Sequence, residues 1–278
     1  PSTRLSHRII RRATQFGLAF GLGGSQLATR QEHAWVQTVH LKVPVHKLPD
    51  SLQHFKIAHL TDIHRSRYVS HKFIKHCVQM TNEEHPDIIL LTGDYVTHSV
   101  RYIPMVMEDL AHLKAKYGVY AVLGNHDYWT DPELTMVCMQ KANIIPLVNE
   151  SVFVPCKDSG IWICGVDDLW AGLFDLDKTF EETSGDHPRI LLMHNPDSFK
   201  EATQFHPDLI LCGHTHGGQV SLPTYGPIIV PSKYGKKYAS GLFHHGSTTM
   251  FVNKGLGLIT PPVRVNVRPE IAIITLQK

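Results

Sequence analysis

The sequence predicts an α/β protein built as a two-sheet β-sandwich flanked by helices, and three observations carry that prediction. Five apolar runs each end in a polar residue able to hold a metal ion. Segments of helical character separate the first of these runs, as crossover connections would. Residues 219–276 are short β runs punctuated by glycine and proline. At 278 residues the chain can bury a substantial core as one large domain, or a domain with an appendage. Its 42% hydrophobic and 19% charged content is ordinary for a soluble globular protein. A net charge of +2, with no long Lys/Arg run interleaved with aromatics, carries no nucleic-acid signature.

Residues 1–33 read as a leader. Arg4, Arg8, Arg11, Arg12 and Arg30 flank the apolar stretch Phe16–Leu27, which is too short to span a bilayer as a helix. The basic region, the apolar stretch and the Arg11-Arg12 pair resemble a signal peptide of twin-arginine type. The alternatives are a peripheral anchor dipping Phe16, Leu18, Phe20 and Leu22 into the lipid interface, or a leader without a membrane role. The reading leans to the membrane and leaves the face open. The five cysteines are odd in number and lack a C-x-x-C pair, which argues against a disulfide framework and leans toward a reducing compartment.

Residues 34–278 form the folded domain. Alternation over 34–46 predicts an edge or entry strand. A strand over 56–61 ends at Asp62, and a helix follows over 70–84. The strand over 87–92 is apolar throughout, as expected where both faces are buried, and ends at Gly93-Asp94. A helix over 102–116 leads to the strand 119–123, which ends at Gly124-Asn125, and another helix covers 132–142. Two β segments follow at 151–155 and 160–166. Strands at 189–193 and 208–212 end at His194 and at Gly213-His214. Short strands at 228–230, 238–243, 249–253 and 271–276 are expected to form a second, antiparallel sheet packed on the first. Ligands bind beyond the carboxyl ends of strands in such sheets, so the five polar strand ends should converge.

Those strand ends carry Asp62-Ile63-His64, Gly93-Asp94, Gly124-Asn125-His126-Asp127, His194 and Gly213-His214-Thr215-His216-Gly217-Gly218. The donors are carboxylate, amide and imidazole, with no thiolate. That set suits Mn, Fe, Zn or similar ions better than a cysteine-built structural zinc site. Asp62 and His64 are two apart on an extended strand exit, so both can face one ion. Asp94 is the best candidate to give one oxygen to two ions. Glycine at 93 lets the backbone turn tightly beneath them. Two ions roughly 3.5–4 Å apart form the clamp used for in-line displacement at phosphorus.

These five blocks, in this order over roughly residues 55–276, resemble the calcineurin-like metallophosphoesterase superfamily. The string GHTHGGQ at 213–219, with Arg268-Pro269-Glu270, is similar to a subgroup of membrane-associated bacterial phosphodiesterases. Some of these resemble UDP-2,3-diacylglucosamine pyrophosphatases of lipid A synthesis. The resemblance implies two divalent metals, Mn first, with Fe, Zn or Ni as alternatives. Metal one would take Asp62, His64, Asp94 and His216; metal two would take Asp94, Asn125, His194 and His214. It makes His126 the general acid or a stabiliser of the leaving oxygen. Asp127 then either supplies a carboxylate that orients the His126 ring or merely caps a turn.

The implied chemistry is in-line attack on a phosphodiester or pyrophosphate by a hydroxide bridging the metals. The substrate would be a phosphoester small molecule or a lipid-linked nucleotide, met at the bacterial inner membrane. A phosphomonoesterase, a protein phosphatase and a silent scaffold are the competing readings, and the scaffold would be expected to have lost ligands. No G-x-S-x-G elbow offers a serine nucleophile. Arg65 and Arg67 could hold a substrate phosphate or lie in a solvated loop. Gly217 and Gly218 would admit a phosphate close to the backbone. Asp167-Asp168 fits a turn better than the cleft. Trp170, Leu173 and Phe174 belong either to a lid over an acyl chain or to the core.

Overall fold

The computed structural model describes residues 35–46 and 48–278. The leader reading of 1–33 lies outside the described residues. Two six-stranded sheets lie face to face between helical layers. The first has the order β1 (Gln37–Pro44), β14 (Glu270–Gln277), β2 (Lys56–Leu60), β3 (Ile88–Thr92), β4 (Val119–Val122), β5 (Ile144–Pro146). The second runs β12 (Gly241–His245), β13 (Thr248–Val252), β9 (Leu209–Cys212), β8 (Arg189–Leu192), β7 (Ser159–Gly165), β6 (Glu150–Cys156). A two-residue hairpin pair, β10 (Ser221–Leu222) and β11 (Gly226–Pro227), stands apart.

The central strands are mostly apolar because alternate residues face different buried layers. On β3, Ile88 and Leu90 point between the sheets, against Ile163, Leu192 and Leu211. Ile89 and Leu91 point outward into a core shared with Phe73, Ile74 and Val78 of α1 (His71–Glu83) and Ile103, Val106 and Met107 of α2 (Tyr102–Leu110). On the far face Leu191, Ile210 and Met250 pack on Phe180 of α5 (Leu176–Phe180) and Phe199 of α6 (Phe199–Ala202). Each such side chain, fully buried, contributes about 1.5–3 kcal/mol.

Helix α1 begins where Ser70 accepts a hydrogen bond from the Phe73 N–H, matching the expected 70–84 segment. Helix α2 is shorter than expected, ending at Leu110 instead of 116. The Asn82 side chain captures the backbone beyond it, donating to the His112 carbonyl and accepting from the Lys114 N–H, both at 2.8 Å. Those bonds compete with further helix.

The tail departs most from expectation. It does not build a separate antiparallel sheet. β13 extends the second sheet by pairing parallel to β9, and β12 folds back on it. β14 enters the first sheet between β1 and β2, parallel to one and antiparallel to the other. The expected strand at 228–230 does not form. Strand pairing is decided by which buried edge is free, and no local pattern reports that. One consequence matters for the site: β2, β3 and β4 deliver their ends from the first sheet, and β8 and β9 deliver theirs from the second.

Candidate metal centre

The five strand ends converge. Asp62, His64, Asp94, Asn125, His194, His214 and His216 are all buried at one edge of the sandwich. One oxygen, Asp94 Oδ2, lies 3.3 Å from His64 Nε2 and 3.3 Å from His194 Nε2. On one side of it, His64 Nε2 and His216 Nε2 face each other at 3.1 Å, with Asp62 Oδ1 3.2 Å from His216. On the other side, His194 Nε2 and His214 Nδ1 are 3.2 Å apart. Two donor groups therefore meet at the Asp94 carboxylate: Asp62, His64 and His216 on one side, where Oδ2 reaches His64, and Asp94 itself with His194 and His214 on the other. Asn125 Oδ1 is buried and accepts no hydrogen bond, an unmet valence one residue from Gly124, which lies against Asp94 and His194. Nitrogen lone pairs meeting head-on within a buried carboxylate cage fit a pair of divalent cations.

The backbone is bent hard to achieve this. Asp62, His64, Asp94, His214 and His216 all have φ between 48° and 71°, the left-handed region that costs a non-glycine residue roughly 1–2 kcal/mol. Gly93, at φ 89°, sits so close to the next strand that a Cβ would stand 2.4 Å from the Gly124 nitrogen. Supporting bonds aim the donors. The His194 Nδ1–H donates to the Thr92 carbonyl at 2.6 Å, which leaves Nε2 for Asp94. The His214 N–H and the Thr61 hydroxyl donate to Asp62, and the His126 N–H donates to Asp94 Oδ1.

Burial holds His64 down to about 4 and His214 to about 3, and also lowers His216, so all three present neutral imidazoles. Burial opposes ionisation of Asp62 and Asp94 as well, but His216 beside the first and His194 beside the second keep both carboxyls below the usual range. His194 is the exception among the imidazoles. Burial disfavours its charge, yet the Asp94 carboxylate raises it to about 10, so it holds positive charge where a metal would.

His126 stands at the opening, half-buried, on the first turn of α3 (Asn125–Thr130). Its Nδ1–H donates to the Thr97 carbonyl at 2.8 Å. A ring nitrogen lies within 4.8 Å of donor atoms of both His64 and Asp94. Asp127 does not orient this ring. Its Oδ2 accepts from the Asp94 N–H at 2.7 Å and the Gly124 N–H at 2.9 Å, and its Oδ1 accepts from the Tyr95 N–H at 2.9 Å. Burial and then Asp94 push this carboxyl up to about 8, while the Gly124 and Tyr95 N–H groups and nearby His194 pull it back. The cap reading of Asp127 thus holds, and Thr97 takes the orienting role. Asp127→Ala should cost roughly 1–3 kcal/mol for each N–H left unpaired. Thermal unfolding should therefore show Tm lowered by at least about 6 °C. An unchanged Tm with lost activity would instead place Asp127 in the chemistry.

Other residues singled out in the sequence have surroundings of their own. The Arg65 guanidinium does not face the metal cage; it donates to the Ser66 and Val69 carbonyls and lies 4.9 Å over the Tyr102 ring. At Gly217 and Gly218 the space a side chain would take is filled by the protein's own atoms. A Cβ at Gly217 would meet Val267 and Lys254, and one at Gly218 would meet Pro227 and the Ile229 carbonyl. Their positive φ serves the turn that carries His216. Arg268-Pro269-Glu270 ties β14 in place: Arg268 donates to the Trp35 carbonyl, and Glu270 pairs with Lys254 at 2.7 Å. Asp167 and Asp168 are buried turn formers, as expected. Asp168 accepts from the Trp170 and Ala171 N–H groups, and Asp167 accepts from Leu173.

Sequence reasoning missed Arg264. Its buried guanidinium donates to the Lys254, Gly255 and Gly257 carbonyls behind Asp62 and lies 3.4 Å from His216 Nδ1. Burial lowers it to about 10. Nothing local marks an arginine 48 positions from His216 as its neighbour. All five cysteines are free and buried, and none belongs to the donor groups.

Residues 55–218 match the family described as calcineurin-like phosphoesterase. The chain is 33% identical to the uncharacterized metallophosphoesterase YkuE of Bacillus subtilis, over 92% of this chain and 90% of that one. It is also 33% identical to phosphodiesterase YaeI of Escherichia coli, over 88% and 90%. A transmembrane protein with metallophosphoesterase domain from Bos taurus is 35% identical over 85% of this chain and 56% of its own length. Among the described residues no helix is long and apolar enough to cross a membrane.

Proposed function

The chain belongs to the calcineurin-like phosphoesterase family and is a metal-dependent hydrolase of phosphoesters, and from that premise we propose that it is a dinuclear phosphodiesterase acting on a lipid-linked nucleotide or related diester. The single observation that carries the dinuclear reading is Asp94 Oδ2, equidistant from His64 and His194 at the junction of two donor groups. Asp62, His64 and His216 would hold one ion with Asp94; Asn125, His194 and His214 would hold the other with it. When bound, two ions of the Mn²⁺ type supply an activated water near neutral pH and offset charge on the phosphoryl oxygens. His126, tethered by Nδ1 to Thr97, keeps its other ring nitrogen available to hand a proton to the leaving oxygen.

The diester reading follows the similarity to YaeI, and the membrane setting follows the GHTHGGQ string and the bovine relative's name. UDP-2,3-diacylglucosamine, a lipid A precursor, is the specific substrate this subgroup resemblance suggests. The test compares that lipid with bis(p-nitrophenyl) phosphate and p-nitrophenyl phosphate, using metal-stripped protein refilled with Mn²⁺. Turnover of the lipid nucleotide far above both generic esters is the expected result. Preference for the monoester would overturn the diester reading, and turnover of the generic diester alone would remove the lipid nucleotide.

A further inference from the structure

Two indole rings lie against the metal centre with part of their surface in water. Trp129, on α3, is 51% exposed, and its ring lies 4.8 Å from the His126 ring. Trp170, on the loop after β7, is 43% exposed, and its ring lies 4.3 Å from the His214 ring and nearly perpendicular to it. His126 groups with His64 and Asp94, and His214 groups with Asp94 and His194. One indole therefore lies on the His64 side of Asp94 and the other on the His194 side. Phe174, further along the second loop, packs instead against the core that holds Phe180 and Phe199. Core packing thus accounts for Phe174 and leaves indole surface over for a ligand.

Both rings are positioned in advance. Asp168 accepts from the Trp170 and Ala171 N–H groups at 2.9 and 2.8 Å, and Asp167 accepts from the Leu173 N–H at 2.7 Å, which fixes the backbone that carries Trp170. The Tyr128 hydroxyl donates to Asp167, so α3, which carries Trp129, is bonded directly to the Trp170 loop. The two indoles thus belong to one braced wall drawn from both sheets. The charges beside it narrow the choice of occupant. Glu133, Asp175 and Asp177 are exposed in the segments that follow the two rings, which disfavours an anionic surface or an acidic chain. An uncharged flat ring meets no such repulsion, and every purine or pyrimidine has a face that stacks on an indole.

We propose that Trp129 and Trp170 form a stacking site for a nucleobase, the planar ring of a ligand whose phosphate belongs with the donor groups. The inference rests on the nucleotide reading of the substrate and gives it residues: the two indoles select the base, while the metal ligands and His126 are indifferent to it.

The test is calorimetric titration of the Mn²⁺-loaded full chain with uridine 5′-monophosphate and with ribose 5-phosphate, which share phosphate and sugar and differ in the base. Wild type should bind the nucleotide at least about tenfold more tightly, as stacking on two indoles would give. W129A/W170A together should bind the two ligands alike, and W129F/W170F should keep most of the preference, because phenylalanine still offers a flat face. No preference in wild type, or a preference that survives in W129A/W170A, would overturn the base site. Hydrolysis of bis(p-nitrophenyl) phosphate by the same wild-type preparation reports separately on the phosphodiesterase reading. Its absence alongside an intact nucleotide preference would overturn that reading and leave the base site standing.

Discussion

Asp94→Asn should lower kcat/KM for bis(p-nitrophenyl) phosphate by at least about a thousandfold. The reason is geometric. Asp94 Oδ2 stands 3.3 Å from a histidine of each donor group, and Asp94 Oδ1 accepts the His126 N–H at 2.9 Å. Asparagine keeps the volume but removes the negative charge that both groups share. It also removes the charge that holds His194 up at about 10. A thousandfold corresponds to about 4 kcal/mol, within what loss of one shared ligand would do to two charge-stabilising ions. Elemental analysis of the purified variant should show metal lost from both sites. Retention of wild-type metal content and rate would remove Asp94 from its bridging place.

His126→Ala should lower kcat by about a hundred- to ten-thousandfold, the range for loss of a positioned proton donor, with bound metal unchanged. His126 is held by Thr97 on one ring nitrogen and flanked by Trp129 and His98, at ring distances of 4.8 Å and 5.1 Å. A donor's loss should depend on the leaving group: slow for an alkyl alkoxide, milder for p-nitrophenolate, which departs without a proton. The comparison of a p-nitrophenyl ester with an alkyl ester checks this. Equal losses on both, accompanied by lost metal, would make His126 a ligand alongside His64 and Asp94, which its position also permits.

Much of this centre is legible in the chain because the fold buries its central strands on both faces. Such strands are mostly apolar runs, so the polar residues that follow each run mark a sheet edge, and Asp62, Asp94, Asn125, His194 and His214 are read from those breaks. Partition of the strand ends between two sheets is not legible, because the choice of pairing partner for β13 and β14 depends on edges formed elsewhere. Roles that depend on orientation are also hidden. Asp127 follows His126 in sequence, yet its carboxylate turns beneath the site to three N–H groups, because a helix begins at Asn125 and points the two side chains apart. Thr97 acts through a carbonyl, which no side-chain motif can announce. Arg264 reaches His216 through the fold of the tail, where local signals are weakest.

The strain at the centre has its own logic. Five left-handed donors, at Asp62, His64, Asp94, His214 and His216, are affordable only where hydrogen bonds over-determine the backbone. The Asp62 N–H donates to the Gly93 carbonyl, the His64 N–H to the Asp94 carbonyl, and the Gly213 N–H to the His194 carbonyl. Neighbouring strand exits thus brace one another, within the first sheet and within the second, so that the donors stay positioned before any ion arrives.

The most direct test of a two-ion hydrolase is the rate of bis(p-nitrophenyl) phosphate hydrolysis by metal-stripped protein as Mn²⁺ is added back. Activity should be negligible in the stripped protein and rise to a plateau at two equivalents per chain. A plateau at one equivalent, or a rate indifferent to metal, would contradict it.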